Sequence, residues 1–241
     1  MTRKEMLKKY YNAYDQYFFE VNDPDTIQRD SKYYDYVYGE YLPKNREGRT
    51  VDCGSGAGKF LYFLKRHGFV KSYGVDMSPK LITFQKDRLG VHSVQGDAIK
   101  HLKNAKPGFE LISANDFLEH LLKEEIIEFL SLASEKLSLT GRLFIQTPNA
   151  CNMFASRNRY TDFSHEVSFT ENSLRTVLRV CGFQYINIIS DFPHDKEPEE
   201  MQQVRVMYEL FGKIPAPQVL SKNVIAICGH KPIERTSSKS V

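Results

Sequence analysis

No run of apolar residues in the chain approaches the roughly 20 needed to cross the hydrocarbon core of a bilayer as a helix. Cysteine is scarce as well. Cys53, Cys151, Cys181 and Cys228 lie far apart with no CxxC pair, which fits neither a zinc ribbon nor a disulfide framework and makes the cytoplasm the expected compartment. Charge lacks a dominant sign: 33 Lys and Arg stand against 30 Asp and Glu, interspersed rather than gathered into a basic stripe, so an extended nucleic-acid surface is not expected. The basic opening stretch MTRKEMLKKYYNAYDQYFFE has no uncharged apolar core ahead of a small-residue cleavage site and does not read as a signal peptide. Internal repeats and low-complexity segments are also missing. What remains is a composition of 41% hydrophobic and 26% charged residues, ordinary for a globular protein, in 241 residues that suffice for one sizeable core with appendages.

The aromatics are unevenly spread. Tyr10, Tyr11, Tyr14, Tyr17 and Phe18 recur at helical spacings within residues 3–19, and YYDYVYGEY at 33–41 repeats the density. These tyrosines either pack their segments onto the main body or close over a ligand, for which a phenol offers both a face and a hydroxyl. From residue 49 the pattern changes to short apolar runs alternating with helical ones. RTVDCG, SYGVDMS, VHSVQGDA, FELISAND, RLFIQTPN, QYINIIS and NVIAICGH read as strands, while GKFLYFLKRHG, SPKLITFQKDRLG, EEIIEFLSLASEKLS and SLRTVLRVCGF read as helices. The alternation predicts an α/β fold with a doubly wound, mostly parallel seven-stranded sheet whose last two strands pair antiparallel at one edge. Residues 1–48 would form an N-terminal helical cap and 49–232 the main domain. Within that domain 191–222 is long enough for a lid or substrate-binding insertion, and 233–241 reads as a flexible tail.

Asp52-Cys53-Gly54-Ser55-Gly56-Ala57-Gly58 sits at the first strand-to-helix turn, where a parallel sheet binds its ligands. Two familiar glycine loops are excluded by spacing. The dinucleotide fingerprint G-x-G-x-x-G would need glycine at Lys59, and the P-loop would need Ser or Thr where Phe60 follows Lys59. The companions of the turn say more. Asp76 ends the second strand, where a carboxylate can accept both hydroxyls of a ribose; Asp97 in GDA follows the third and can meet an adenine edge; Asp52 can face an ammonium. Together they describe a ligand with an adenosine end and an amino-acid end.

On these residues the chain resembles the class I S-adenosylmethionine-dependent methyltransferases: DxGxGxG, GVDxSP, GDA, the LEHL stretch and TPN occur in that family's order across about residues 49–190. The resemblance implies a Rossmann-like fold and S-adenosyl-L-methionine as cofactor. Asp52, Gly54, Ser55 and Gly56 would line its methionine portion, Asp76 its ribose, and Met77, Asp97 and Ala98 its adenine, with Asn115 in the same set. Here Cys53 and Ser55 are exchanged around Gly54 relative to the family's usual order.

A hydroxyl acceptor must lose its proton as it attacks, so a base or a metal is expected beside the cofactor. The fourth strand runs into Asp116, Glu119 and His120, which a helical turn would bring together, and the later stretch CNMFASRNRYTDFSHEVSFT supplies Arg157, Arg159, Asp162, His165 and Glu166. This set is similar to that of two metal-using branches, the small-RNA 3′-terminal 2′-O-methyltransferases and the ubiquinone-pathway O-methyltransferases. By that resemblance Asp116, Glu119, His120 and His165 would hold a divalent cation, magnesium or manganese ahead of zinc, with Asp116 standing where the first branch has Glu. The run R-Y-x-D-x-S-H-E-x-x-F-T at 159–170 looks more like methyltransferases of bacterial surface-glycan and capsule biosynthesis, which implies O-methylation of a sugar, a phosphorylated sugar or another glycan-linked acceptor. Glu119, His120 and His165 are then the expected catalytic groups, as metal ligands or as direct bases, and Arg157 and Arg159 could hold an anionic group. The alternatives are a metal-dependent methyltransferase of RNA 3′ ends, another small-molecule methyltransferase, an NAD oxidoreductase, or a non-catalytic nucleoside-binding module that would need neither histidine. His194, His230 and the cysteines carry no motif.

Overall fold

The structure is a computed structural model that describes residues 1, 3, 5–7, 9–11, 23–152, 154–191, 202, 206, 207, 210 and 219–235. Expectations for Tyr14, Tyr17, Phe18, His194, most of the 191–222 insertion and the end of the tail lie outside these residues.

Short β-branched and aromatic runs form seven strands: β1 (Arg49–Cys53), β2 (Ser72–Asp76), β3 (Ser93–Gln95), β4 (Phe109–Asn115), β5 (Leu137–Pro148), β6 (Tyr185–Ser190) and β7 (Asn223–Gly229). They make one sheet in the order β3-β2-β1-β4-β5-β7-β6. The first five are parallel, whereas β7 lies antiparallel to both β5 and β6 and separates them. The expected antiparallel edge is therefore present, and β7 also completes the main sheet against β5. Val51, Cys53, Leu111, Ile112, Ala114, Phe144 and Ile145 are wholly buried, as central strands covered on both faces must be.

Ahead of β1 lie α1 (Pro24–Asp30) and α2 (Tyr33–Tyr38), and between the strands lie α3 (Lys59–Arg66), α4 (Pro79–Phe84), α5 (Ala98–Asn104), α6 (Lys123–Lys136), α7 (Ala155–Thr161) and α8 (Glu171–Val180). Their ends follow local chemistry. The Ser78 hydroxyl accepts from the Leu81 amide at 3.2 Å with Pro79 in the first turn of α4, and Gly182, at φ 98°, closes the turn after α8. Two helices depart from the sequence reading. GDA does not extend a strand: β3 stops at Gln95, and Asp97 caps α5 by accepting from the Ile99 and Lys100 amides at 3.0 and 3.2 Å. The stretch after β5, read as loop, contains α7, which buries none of its residues and so carries no apolar periodicity to betray it. No described helix is long and apolar enough to cross a membrane.

The core has two faces. Phe129, Leu130 and Ala133 of α6, Leu102 of α5 and Leu174 and Leu178 of α8 cover one; Tyr34, Tyr38, Tyr41, Phe60, Phe63 and Leu64 cover the other, against Leu111, Phe144, Ile225 and Ile227. In the second, the Tyr38 ring stacks on Phe144 with centroids 4.6 Å apart and planes 9° from parallel, and meets Phe60 edge-on at 5.6 Å. The second aromatic stretch is thus part of the core rather than an appendage to it. Tyr38→Ala should lower the unfolding free energy by about 3–5 kcal/mol, the usual cost of deleting a buried aromatic side chain, as read from the shift in a urea transition. A loss below about 1 kcal/mol would mean that α2 docks without contributing to the core.

Candidate active site

The five residues between β1 and α3, 54–58, must reverse direction while leaving backbone exposed. Gly54 adopts φ 72°, and a Cβ there would lie 2.6 Å from Phe117 Cδ2, so both conformation and space require glycine. Gly56, at φ 52°, has nothing within 4 Å of where its Cβ would be, so the chain is bare at that point. Its amide donates to Asp76 Oδ2 at 2.8 Å, and the Ser78 amide donates to Asp76 Oδ1 at 2.8 Å. The carboxylate is thereby fixed between turn and helix cap. Met77 beside it is 53% exposed, an apolar side chain left available to a flat ring. Ser55, by contrast, is buried, and its hydroxyl accepts from Gln85 Nε2 at 3.0 Å inside the turn. Asp97 spends Oδ1 on capping α5, beside the buried Ala98.

Asp52 lies beneath the turn, 2% exposed, accepting from Ser113 Oγ at 2.7 Å. Burial pushes its carboxyl up to about 7, with the Ser113 hydrogen bond opposing and the negative charge of Asp76 adding to the rise. Farther along the same edge, Asn115 Oδ1 accepts from the Tyr38 hydroxyl at 2.7 Å, leaving its buried Nδ2 without a partner. The Tyr33 hydroxyl donates to Gln146 Oε1 at 2.8 Å, and Gln146 Nε2 in turn donates to the two oxygens of Asp116 at 3.2 and 3.1 Å. The rings of the second aromatic stretch thus pack, and two of its hydroxyls orient amides at the cleft.

Beyond Asn115 the expected helical turn is displaced. Asp116 has φ 51°, the one positive value among described non-glycine residues, and a 3₁₀ turn starts only at Leu118–His120. Glu119, His120 and His165 come together, each offering a ligand atom within 4.8 Å of the others. Asp116 stands outside that trio with its carboxylate on Gln146. Burial raises its carboxyl, although solvent reaches the residue and limits the effect relative to Glu119, which is 1% exposed. Glu119 is held well above the usual carboxylate range by burial and then by the charge of Asp116, while its Oε2 accepts from Thr147 Oγ1 at 3.1 Å. Its backbone carbonyl accepts from the Glu166 and Val167 amides at 2.7 and 3.3 Å, which pins the His165 loop against the 3₁₀ turn.

His120 Nδ1 lies 2.8 Å from Ser164 Oγ, and its ring meets that of His165 at 4.8 Å between centroids. Burial, followed by the proximity of His165, lowers His120 to about 4, so the ring is neutral at pH 7. His165 Nδ1 is buried with no hydrogen-bond partner. A carboxyl group and two imidazoles form a donor set suited to a divalent cation, and a buried ring nitrogen without a partner is the kind of vacancy such an ion fills. Sequence reasoning missed the supports: Thr147 of TPN and Ser164 of the 159–170 run lay inside motifs without a role of their own, Gln146 lay in none, and Arg3 reaches in from the other end of the chain. Arg3 pairs with Glu125 at 3.2 Å and Glu166 at 3.3 Å and donates to the His120 carbonyl at 2.9 Å. Arg157 is exposed, and Arg159 lies over the Tyr160 ring at 5.3 Å. His230 sits elsewhere, stacked on Phe183 and bonded to the Ser134 carbonyl at 2.9 Å, and none of the four cysteines is joined in a disulfide.

A protein-family model described as a methyltransferase domain matches residues 16–188. No curated protein sequence matches the chain. Among solved structures, the chain is similar to an S-adenosylmethionine-dependent methyltransferase from Archaeoglobus fulgidus, at 22% identity and TM-score 0.66 over 91% of this chain and 99% of that one. It is also similar to a Thermotoga maritima methyltransferase titled a possible histamine N-methyltransferase (17% identity, TM-score 0.57, 94% and 99% covered). A third likeness is to the methyltransferase domain of bacterial CtHen1-CN (17% identity, TM-score 0.54, 84% and 98% covered). At these identities the likeness is one of fold.

The raised carboxyl of Asp52 has a signed consequence for stability without ligand. Its folded pKa, about 7, exceeds the ordinary value, so the stability it contributes is complete below about pH 4 and is lost as pH rises through 7. Asp52→Asn should therefore gain stability relative to the parent between pH 5 and pH 8, measured as the difference in urea midpoints. A difference independent of pH would show that Asp52 is ionised throughout.

Proposed function

The chain belongs to the class I S-adenosylmethionine-dependent methyltransferases, and from that premise we propose that it transfers the methyl group to an oxygen of a sugar or phosphorylated sugar derivative, with Glu119, His120 and His165 at the reacting end. The observation that carries this reading is the trio itself, with its donor atoms within 4.8 Å of one another and His165 Nδ1 buried and unpaired.

The cofactor end follows from the β1–α3 turn. The open backbone at Gly56 suits the methionine portion, Asp52 suits its ammonium, Asp76 at the end of β2 suits the two ribose hydroxyls, and Met77, Asp97 and Ala98 suit the adenine. S-adenosylmethionine supplies a sulfonium-bound methyl, so the protein's part is to align the acceptor oxygen with it and to remove a proton. A histidine lowered to about 4 is a poor base for an alcohol at neutral pH, which disfavours His120 acting alone. The donor set fits a divalent cation, with manganese or magnesium preferred; bound there by Glu119, His120 and His165, it would make a coordinated hydroxyl acidic near pH 7. Burial disfavours the charged form of Glu119, and a bound ion would favour it.

For the acceptor, support comes from the run at 159–170, now seen to build the wall of the trio through Asp162, Ser164 and His165, and from the intermixed surface charge, which suits a small polar molecule better than RNA. On this reading the enzyme works in the cytoplasm in surface-glycan or capsule biosynthesis. The 1–48 cap and the 191–222 insertion select the acceptor.

The test is calorimetric titration of Mn²⁺, Mg²⁺ and Zn²⁺ into protein saturated with S-adenosylhomocysteine, repeated on Glu119→Ala and His165→Ala. One ion per chain, with affinity reduced at least about tenfold in both variants, is the expected result. Absence of binding to the parent protein would reject the metal-assisted mechanism and return the proton transfer to a histidine.

A further inference from the structure

We infer that Ser164 and Asp162 are positioning residues that fix His120 in one tautomer, with the proton on Nδ1 and the lone pair on Nε2 turned to the reacting site. The inference rests on the placement of His120 at that site and adds what holds it there.

The argument is a count of protons. Asp162 Oδ1 accepts from the Ser164 amide at 2.8 Å, from the Ser164 hydroxyl at 2.6 Å and from the Tyr10 hydroxyl at 2.9 Å. Burial works against its charge, but these bonds outweigh it and hold the carboxyl below the ordinary range, so Asp162 only accepts. Ser164 has a single hydroxyl proton, and the short contact to Asp162 takes it. Toward His120 Nδ1, 2.8 Å away, Ser164 Oγ can then only accept, as it also does from the Tyr11 hydroxyl at 3.5 Å. Ser164 is 3% exposed, which leaves little room for water to exchange these roles. The ring must therefore donate from Nδ1, and a neutral imidazole that donates from one nitrogen carries its lone pair on the other. The backbone carbonyls of Ser164 and Asp116 are the other acceptors near the ring. Ser164 and Asp162 touch none of the reacting atoms; they act through the histidine, as the partners behind metal-bound or basic imidazoles generally do.

The test reads the tautomer directly. Long-range ¹H–¹⁵N spectra of the metal-free protein at neutral pH should show His120 protonated on Nδ1. Asp162→Ala frees the Ser164 proton to point at the ring and should move the His120 proton toward Nε2; Ser164→Ala should abolish the preference and Ser164→Thr keep it. Calorimetry with Mn²⁺ should give an affinity about 10–100-fold lower in Ser164→Ala and restored in Ser164→Thr. A parent protein protonated on Nε2, or a tautomer unchanged in both alanine variants, overturns the inference. Should a variant fail to fold, the parent spectrum decides alone. A parent that binds no Mn²⁺ yet shows the Nδ1 proton defeats the metal mechanism and leaves this inference standing.

Discussion

Strands β1 and β4 run side by side in the same direction, yet the chain leaving their carboxyl ends goes to opposite faces of the sheet. After β1 it enters α3, which packs with the tyrosine cluster; after β4 it enters the 3₁₀ turn and α6, which pack on the other face. A parallel pair whose connections diverge in this way opens a crevice at its carboxyl edge. The parts of the site at that edge depend on the crevice: Asp52 and the glycine turn on one lip, Asn115 to His120 on the other, with Phe117 closing the gap against Gly54 so tightly that a side chain there has no room.

A second consequence of that geometry is the accumulation of acid. Asp52, Asp116 and Glu119 are brought to the crevice by strand ends and turns, and all three are pushed toward their protonated forms by burial. Without ligands burial thus works against negative charge on these three groups. An ammonium group or a divalent cation would favour their charged forms, so the pH of the surroundings enters the binding of both.

The glycine turn and Asp76 were legible because their demands are local: a left-handed backbone admits few residues, and a strand-to-helix turn can be found by periodicity alone. The strand count was legible for the same reason. What was not legible depended on contacts across the chain. The place of β7 between β5 and β6 is set by pairing with segments far away in sequence. Helix α5 hid because Asp97 looked like the end of a strand until its side chain was seen capping the helix, and α7 hid because it buries nothing. At the site, the pair His120 and His165 was foreseen from residue type, whereas Asp116 was misplaced because a single left-handed residue turns it onto Gln146. Ser164 stood in the 159–170 run without a role of its own, since its meaning is the order of donors and acceptors on either side of it.

Arg3 joins Glu125, Glu166 and the carbonyl of His120 within one guanidinium's reach. The third residue of the sequence is thus part of the wall behind the histidine. For anyone preparing this protein, a purification tag fused at that end would be a modification of the site itself and could not be regarded as an inert handle.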